Sequence, residues 1–95
     1  MKMSISQDAA KWYKDEMQLK DGDFLRFFAR YGGCGNVQKG FSLGVAKDEP
    51  VEIGVETSCL GVTFFVEEKD LWYFDSRDLT IELDPEHDEP VFYFS

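Results

Sequence analysis

Histidine, cysteine and proline are scarce in this chain of 95 residues, which has one, two and three of them. The single histidine, His87, is the only imidazole that could serve as a general base, and the sequence places no nucleophile beside it. Two cysteines and one histidine are too few for a closed tetrahedral zinc site. These shortages predict that the protein is not an enzyme.

Long hydrophobic runs are also missing. The longest apolar stretch, residues 60–66, is far shorter than the ~20 residues that span a bilayer. The first residues lack the apolar segment of a secretion signal. We therefore expect a soluble, cytoplasmic protein with no membrane partner, in which both cysteines stay reduced.

Basic residues are outnumbered by acidic ones, 10 against 19, which gives a net charge of −9. The imbalance is concentrated in residues 67–95, which hold ten acidic and two basic side chains. A field of this sign repels phosphate backbones, so the sequence excludes nucleic acid as a partner.

Aromatic residues are abundant, with nine phenylalanines, four tyrosines and two tryptophans. Each ring can bury roughly 150–250 Å², so few residues suffice to build an interior. A chain of this length can bury a core without disulfides or a structural metal. We expect a single domain that spans residues 1–95.

The spacing of apolar residues predicts a β-rich α+β domain. Ser6 is a good N-cap for a helix over residues 7–19, which a glycine-containing turn at residues 20–23 would end. Alternation predicts strands at 24–31, 41–46, 51–55, 62–66, 79–83 and 91–95, with a short helix at 67–74. The second and third of these strands are expected to form a hairpin, and the fourth, apolar on both sides, to be central.

A common core should collect the apolar positions that these strands turn to one face. Large-to-small changes in such a core are costly because they leave a cavity. The residues expected there are Leu25, Phe27, Leu43, Val45, Val62, Phe64, Ile81 and Leu83.

The stretch "YGGCGNVQKG" places Cys34 among four glycines, directly after a predicted strand. Glycine is used where the backbone needs positive φ or where another group approaches it closely. Two interpretations remain open: a sharp strand-to-strand turn in which Cys34 is incidental, or a loop that presents the Cys34 thiol to a ligand. In the second case exposed backbone N–H groups could favour the thiolate.

The order of these elements, with "GGCG" followed by "GFSLGVAKDEP" and later "GVTFFVEEKDLWYFDSRDLTIEL", resembles the HesB-like, A-type iron–sulfur cluster assembly proteins, in particular a short YneR-like branch. The resemblance implies a small β-sandwich of mixed sheets with an N-terminal helix and a second short helix. It also implies that Cys34 matches the family's first cysteine, a ligand for iron or an Fe–S cluster.

The chain departs from that family because it lacks the C-terminal Cys-Gly-Cys, and Cys59 matches no family cysteine. The resemblance therefore implies one of two functions. The first is a non-enzymatic binding or adaptor module that has lost the cofactor and contacts proteins of iron–sulfur assembly. The second is a degenerate carrier that binds iron or an Fe–S cluster through Cys34 across a homodimer.

Three other positions have ordinary structural interpretations. Cys59 is expected in a turn as a spare small side chain. His87 is expected to be a solvated loop residue whose acidic neighbours favour its charged form. The run "LWYF" cannot bury four large groups on one side of a short helix, so Trp72 or Phe74 could reach a second surface.

Overall fold

Seven strands and two helices make up the part of the chain that the computed structural model describes, residues 1–32 and 40–95. They are, in order, β1 (Met3–Ile5), α1 (Gln7–Glu16), β2 (Phe24–Tyr31), β3 (Phe41–Lys47), β4 (Ile53–Cys59), β5 (Val62–Glu67), a 3-10 helix (Glu68–Phe74), β6 (Leu79–Asp84) and β7 (Glu89–Phe94). Neither of the described helices is long and apolar enough to cross a membrane.

The strands form two sheets, and both sheets are mixed. The three-stranded sheet has the order β1-β6-β7, with β6 parallel to β1 and antiparallel to β7. The four-stranded sheet has the order β3-β2-β5-β4, with a parallel central pair and antiparallel outer pairs. The expected β-rich α+β fold, with mixed sheets, an N-terminal helix and a second short helix, is confirmed.

The core lies where the two sheets and α1 meet, and Phe27 is at its centre. The Phe27 ring packs edge-on against Tyr13 of α1 at 5.7 Å and against Phe92 of β7 at 6.0 Å, measured between ring centroids. It also contacts Phe64 on the neighbouring strand at 6.4 Å. One ring therefore joins both sheets and the helix.

The expected core is confirmed. Its buried members are Leu25, Phe27, Val62, Phe64 and Ile81, and its half-buried members, packed against them, are Leu43, Val45 and Leu83. The half-buried positions lie on β3 and at the end of β6, where fewer neighbours cover them.

β5 is central and covered on both faces, as its apolar sequence predicts. It lies between β2 and β4, and successive side chains of a strand point to opposite faces. Phe64 and Phe65 are nevertheless both fully buried, because Phe64 faces the core and Phe65 packs edge-on against Phe24 on the far side. A strand buried on both faces need not alternate.

The 3-10 helix packs across one end of the four-stranded sheet. Its Tyr73 and Phe74 are buried in the core. Its Asp70 accepts a hydrogen bond of 2.8 Å from the Arg26 guanidinium on β2, and that guanidinium also lies over the Phe28 ring at 5.1 Å. The buried rings of Tyr73 and Phe74 and the bond from Arg26 to Asp70 therefore fix the helix against the sheet.

The predicted hairpin between the strands at 41–46 and 51–55 is wrong. These strands, β3 and β4, are the two opposite edges of their sheet, and β2 and β5 lie between them. The tight hairpin is β4–β5, closed by Leu60 and Gly61, which have φ of +52° and +81°. A two-residue turn of this kind usually has Asn-Gly, because both residues need positive φ. Here leucine, which rarely adopts positive φ, takes the first position, so the sequence gives no sign of the turn.

The end of α1 and the presence of β1 also differ from the prediction. The helix begins after Ser6, whose hydroxyl accepts from the Ala9 N–H at 3.1 Å, as expected. It ends at Glu16 rather than residue 19, because the chain turns through Gln18 at φ +52° and brings Leu19 into the core. β1 was not predicted, because a strand of three residues is too short to show a periodicity.

Candidate functional site

Cys34, the predicted iron or Fe–S ligand, lies outside the described residues, so its role as a metal ligand stays a prediction. The residues on either side of the undescribed stretch are visible. The Gly32 N–H donates to the Gly40 carbonyl at 2.7 Å, and both glycines have positive φ, +94° and +86°. The described strands on either side of that stretch, β2 and β3, are antiparallel neighbours.

Cys59 was expected in a turn, but it is the last residue of β4. It is paired with Val62 across the β4–β5 hairpin. Its free thiol is half-buried and packs against the core. This placement agrees with a small apolar side chain that fills space.

His87 is a solvated residue in the turn between β6 and β7, as predicted. Its Nδ1 lies 2.6 Å from the Asp84 carboxylate, and that carboxylate also accepts from the Glu86 N–H at 2.9 Å. The hydrogen bond to Asp84 raises the pKa of His87, and the same bond lowers the pKa of Asp84. The polar atoms of Asp84, Glu86 and His87 are close together because they build this turn.

The Asp84–His87 pair gives a pH-dependent prediction. We expect the pKa of His87 in the folded protein to exceed its ordinary value of 6.5, and Asp84→Asn to return it towards that value. The stabilisation that this pair gives to the folded state is complete between pH 3.8 and pH 6.5, the ordinary pKa values of the two groups. It is lost as the pH falls through the lowered pKa of Asp84 and as the pH rises through the raised pKa of His87. NMR titration of the imidazole protons measures both values. An unchanged His87 pKa in the Asp84→Asn protein, with Glu82→Gln as control, would refute the pairing.

A cluster of aromatic rings is exposed at the end of the β2–β3 hairpin. We call Tyr31, Phe41 and Trp72 the aromatic tip. Phe41 packs edge-on against Tyr31, 5.6 Å away, and against Trp72, 5.1 Å away. Tyr31 is 86% exposed and Trp72 is 51% exposed. The tip therefore offers apolar area together with a phenol hydroxyl and an indole N–H.

The ends of the surrounding elements explain why these rings project. β5 pairs with β2 only as far as Phe27, because the chain then turns into the 3-10 helix. The last residues of β2 continue with β3 alone, and Tyr31 is directly opposite Phe41. Trp72 is held in place because its neighbour Tyr73 is buried and Asp70 is bound by Arg26.

Only part of the aromatic tip was predicted from the sequence. The prediction that Trp72 or Phe74 could reach a second surface is correct for Trp72, whereas Phe74 is fully buried. Tyr31 ends the predicted strand 24–31, and no local pattern shows that the sheet narrows before it. The position of Tyr31 directly before a glycine-rich segment was the one available signal.

The fold and the aromatic tip together define a small β-rich α+β protein with exposed aromatic side chains at one end of a β-hairpin. No family model matches the chain. It is 60% identical over 94 residues to the pyruvate dehydrogenase inhibitor of Bacillus subtilis (strain 168), which covers 99% of each chain. It is also 42% identical to an uncharacterized protein of Staphylococcus saprophyticus, and the match covers 94% of each chain. An uncharacterized protein of Staphylococcus aureus (strain USA300) is 35% identical, and the match covers 98% of this chain and 97% of the Staphylococcus aureus protein. The chain belongs to the same family as the Bacillus subtilis inhibitor.

These relatives correct the function expected from the sequence. The assignment to the HesB-like iron–sulfur assembly family is wrong, and so are the adaptor in cluster assembly and the alternative carrier of iron or an Fe–S cluster, since the 60% identical relative is named for inhibition of pyruvate dehydrogenase. The resemblance rested on element order and one glycine-flanked cysteine. Cys59, which matches no cysteine of that family, is half-buried and packs against the core. The expected partners in iron–sulfur assembly and the expected homodimer were inferred from the same resemblance, so nothing now supports them.

Proposed function

We propose that this protein inhibits pyruvate dehydrogenase by binding to it and that it catalyses no reaction itself. The observation that carries the proposal is the 60% identity, over 99% of both chains, to a relative named pyruvate dehydrogenase inhibitor. Because the alignment covers both chains almost completely, we take the two proteins to share one fold and transfer the named partner on that basis.

The aromatic tip supports binding as the mode of inhibition. Tryptophan and tyrosine are enriched among the residues that dominate the energy of protein interfaces, since each buries a large area and loses little side-chain entropy. Here two such rings, Tyr31 and Trp72, are exposed, and each packs on Phe41. We assign the contact with pyruvate dehydrogenase to this tip.

The environment of the histidine supports a non-catalytic role. A general base must be free to exchange protons with a substrate, and it works best when its pKa is near the operating pH. The only histidine, His87, is held in a turn by Asp84, which raises its pKa. A protein that inhibits an enzyme by binding to it needs no general base.

An activity titration tests the proposal. Purified pyruvate dehydrogenase complex of Bacillus subtilis is assayed by pyruvate-dependent reduction of NAD⁺ while the concentration of this protein is raised. We expect the rate to fall in a saturable manner and to recover on dilution, because the inhibitor leaves the enzyme unmodified. A lactate dehydrogenase assay read at the same wavelength controls for interference. An unchanged rate at high inhibitor concentration, or inhibition that persists after dilution with a change in the enzyme's mass, would contradict the proposal.

A further inference from the structure

A second surface feature lies away from the aromatic tip, between α1 and β7. Two adjoining hollows of about 400 Å³ and about 500 Å³ share Trp12 and Glu16 in their walls. We call them together the helix–strand groove. The Trp12 indole N–H donates to the Asp88 carbonyl at 2.8 Å. This bond ties the Trp12 ring, which lines both hollows, to the turn before β7.

The smaller hollow is apolar. Most of its lining residues are apolar: Trp12, Tyr13, Met17, Val45, Pro90 and Phe92, with Glu16 and Glu89 as the two acidic ones. The hollow lies between the β7 edge of one sheet and the β3 edge of the other. Its volume is within the range of about 300–1,000 Å³ that is usual for ligand pockets, so it can hold large apolar side chains.

The larger hollow is acidic. Apart from the shared Trp12 and Glu16, it is lined by Asp8, Lys11, Asp15, Leu83 and Asp88. The walls of the whole groove therefore contain five acidic side chains and one lysine, and that lysine is 4.0 Å from Asp15. A ligand that fills the groove needs positive charge at one end and apolar bulk at the other.

We propose that the helix–strand groove binds an extended segment of the partner protein in which lysine or arginine residues stand next to large apolar residues. The inference rests on the proposed function, since pyruvate dehydrogenase supplies the segment. Charge complementarity selects this occupant: the groove is acidic, and so is the whole chain at −9. A second copy of this chain would bring like charge to the groove, which disfavours association.

The first arm of the test uses a synthetic peptide. The probe is Ser-Lys-Leu-Lys-Phe-Lys-Leu-Lys-Ser, acetylated and amidated, and two controls replace its lysines with glutamate or its apolar residues with serine. NMR spectra report the indole N–H signals of Trp12 and Trp72, which Trp72→Phe distinguishes. We expect the probe to shift the Trp12 signal saturably and to leave the Trp72 signal unchanged. No shift, or an equal shift with the serine peptide, would overturn the inference.

The second arm uses two variants of equal charge. Glu16→Lys with Glu89→Lys alters the groove, whereas Glu56→Lys with Glu82→Lys makes the same change at exposed positions on β4 and on the face of β6 away from α1. We expect the groove variant to bind the probe at least about tenfold more weakly than the control variant, because it sets like charges against each other. Equal affinities would overturn the inference.

The same two variants in the pyruvate dehydrogenase assay separate this inference from the proposed function. If the wild type inhibits and the groove variant needs about tenfold more protein than the control variant, both are supported. If the wild type inhibits and the two variants are equal, the groove inference fails and the function stands. If the wild type does not inhibit, the proposed function fails, and the peptide titration alone decides whether the groove binds such a segment.

Discussion

Alanine at Phe27 is expected to lower the free energy of unfolding by about 3–5 kcal/mol, the cost typical of removing a buried phenylalanine. The Phe27 ring is fully buried and contacts Tyr13 of α1 and Phe92 of β7. Its removal would leave a cavity where the helix and both sheets meet, and the neighbouring strands cannot close it without losing their register. Urea unfolding followed by far-UV circular dichroism measures the change.

Tyr93→Ala is the matched control for this prediction. Tyr93 is also an aromatic residue on a strand, but it is 51% exposed. Its replacement should change the stability by no more than about 0.5 kcal/mol, as for most surface positions. A loss below about 1 kcal/mol for Phe27→Ala would mean that the two sheets do not share the core described here.

The alternation of apolar residues was enough to predict the core, because it depends only on the two faces of each strand. Leu25 and Phe27 on β2, and Val62 and Phe64 on β5, are buried as expected. β5 could be recognised as central because it is apolar at successive positions. These properties are local, so a single sequence contains them.

The pairing of strands was less predictable, because it depends on contacts between distant residues. The parallel pairing of β2 with β5 places both strands between β3 and β4, and nothing near residues 41–55 shows it. β1 is only three residues long and is stabilised by a parallel partner, β6, more than seventy residues later in the sequence. Neither long-range pairing leaves a periodic signal of its own.

The candidate surface was partly predictable. Four consecutive large residues in a short helix cannot all be buried, and this predicts an exposed ring such as Trp72. The exposure of Tyr31 depends on where β5 stops pairing with β2, which only the structure shows. The function was not predictable from residue types, because a surface that binds another protein needs no diagnostic set of chemical groups.

Serine at both Tyr31 and Trp72 is expected to raise the concentration needed for half-inhibition of pyruvate dehydrogenase by about a hundredfold or more. Truncating a residue at the centre of an interface typically costs about 2 kcal/mol or more, and every 1.4 kcal/mol is about tenfold in affinity. The fold should be retained, because both rings are largely outside the core. The NAD⁺ reduction assay measures the effect, and circular dichroism checks the fold.

The most direct test of inhibition through the aromatic tip is to compare half-inhibitory concentrations for three proteins in that assay. They are the wild type, Tyr31→Ser with Trp72→Ser, and a matched control, Val51→Ser with Tyr93→Ser. The control also removes two exposed apolar side chains, since Val51 is 93% exposed and Tyr93 is as exposed as Trp72. The account predicts that the control inhibits like the wild type and that the tip variant loses about a hundredfold or more. Equal inhibition by the tip variant and the control would contradict it.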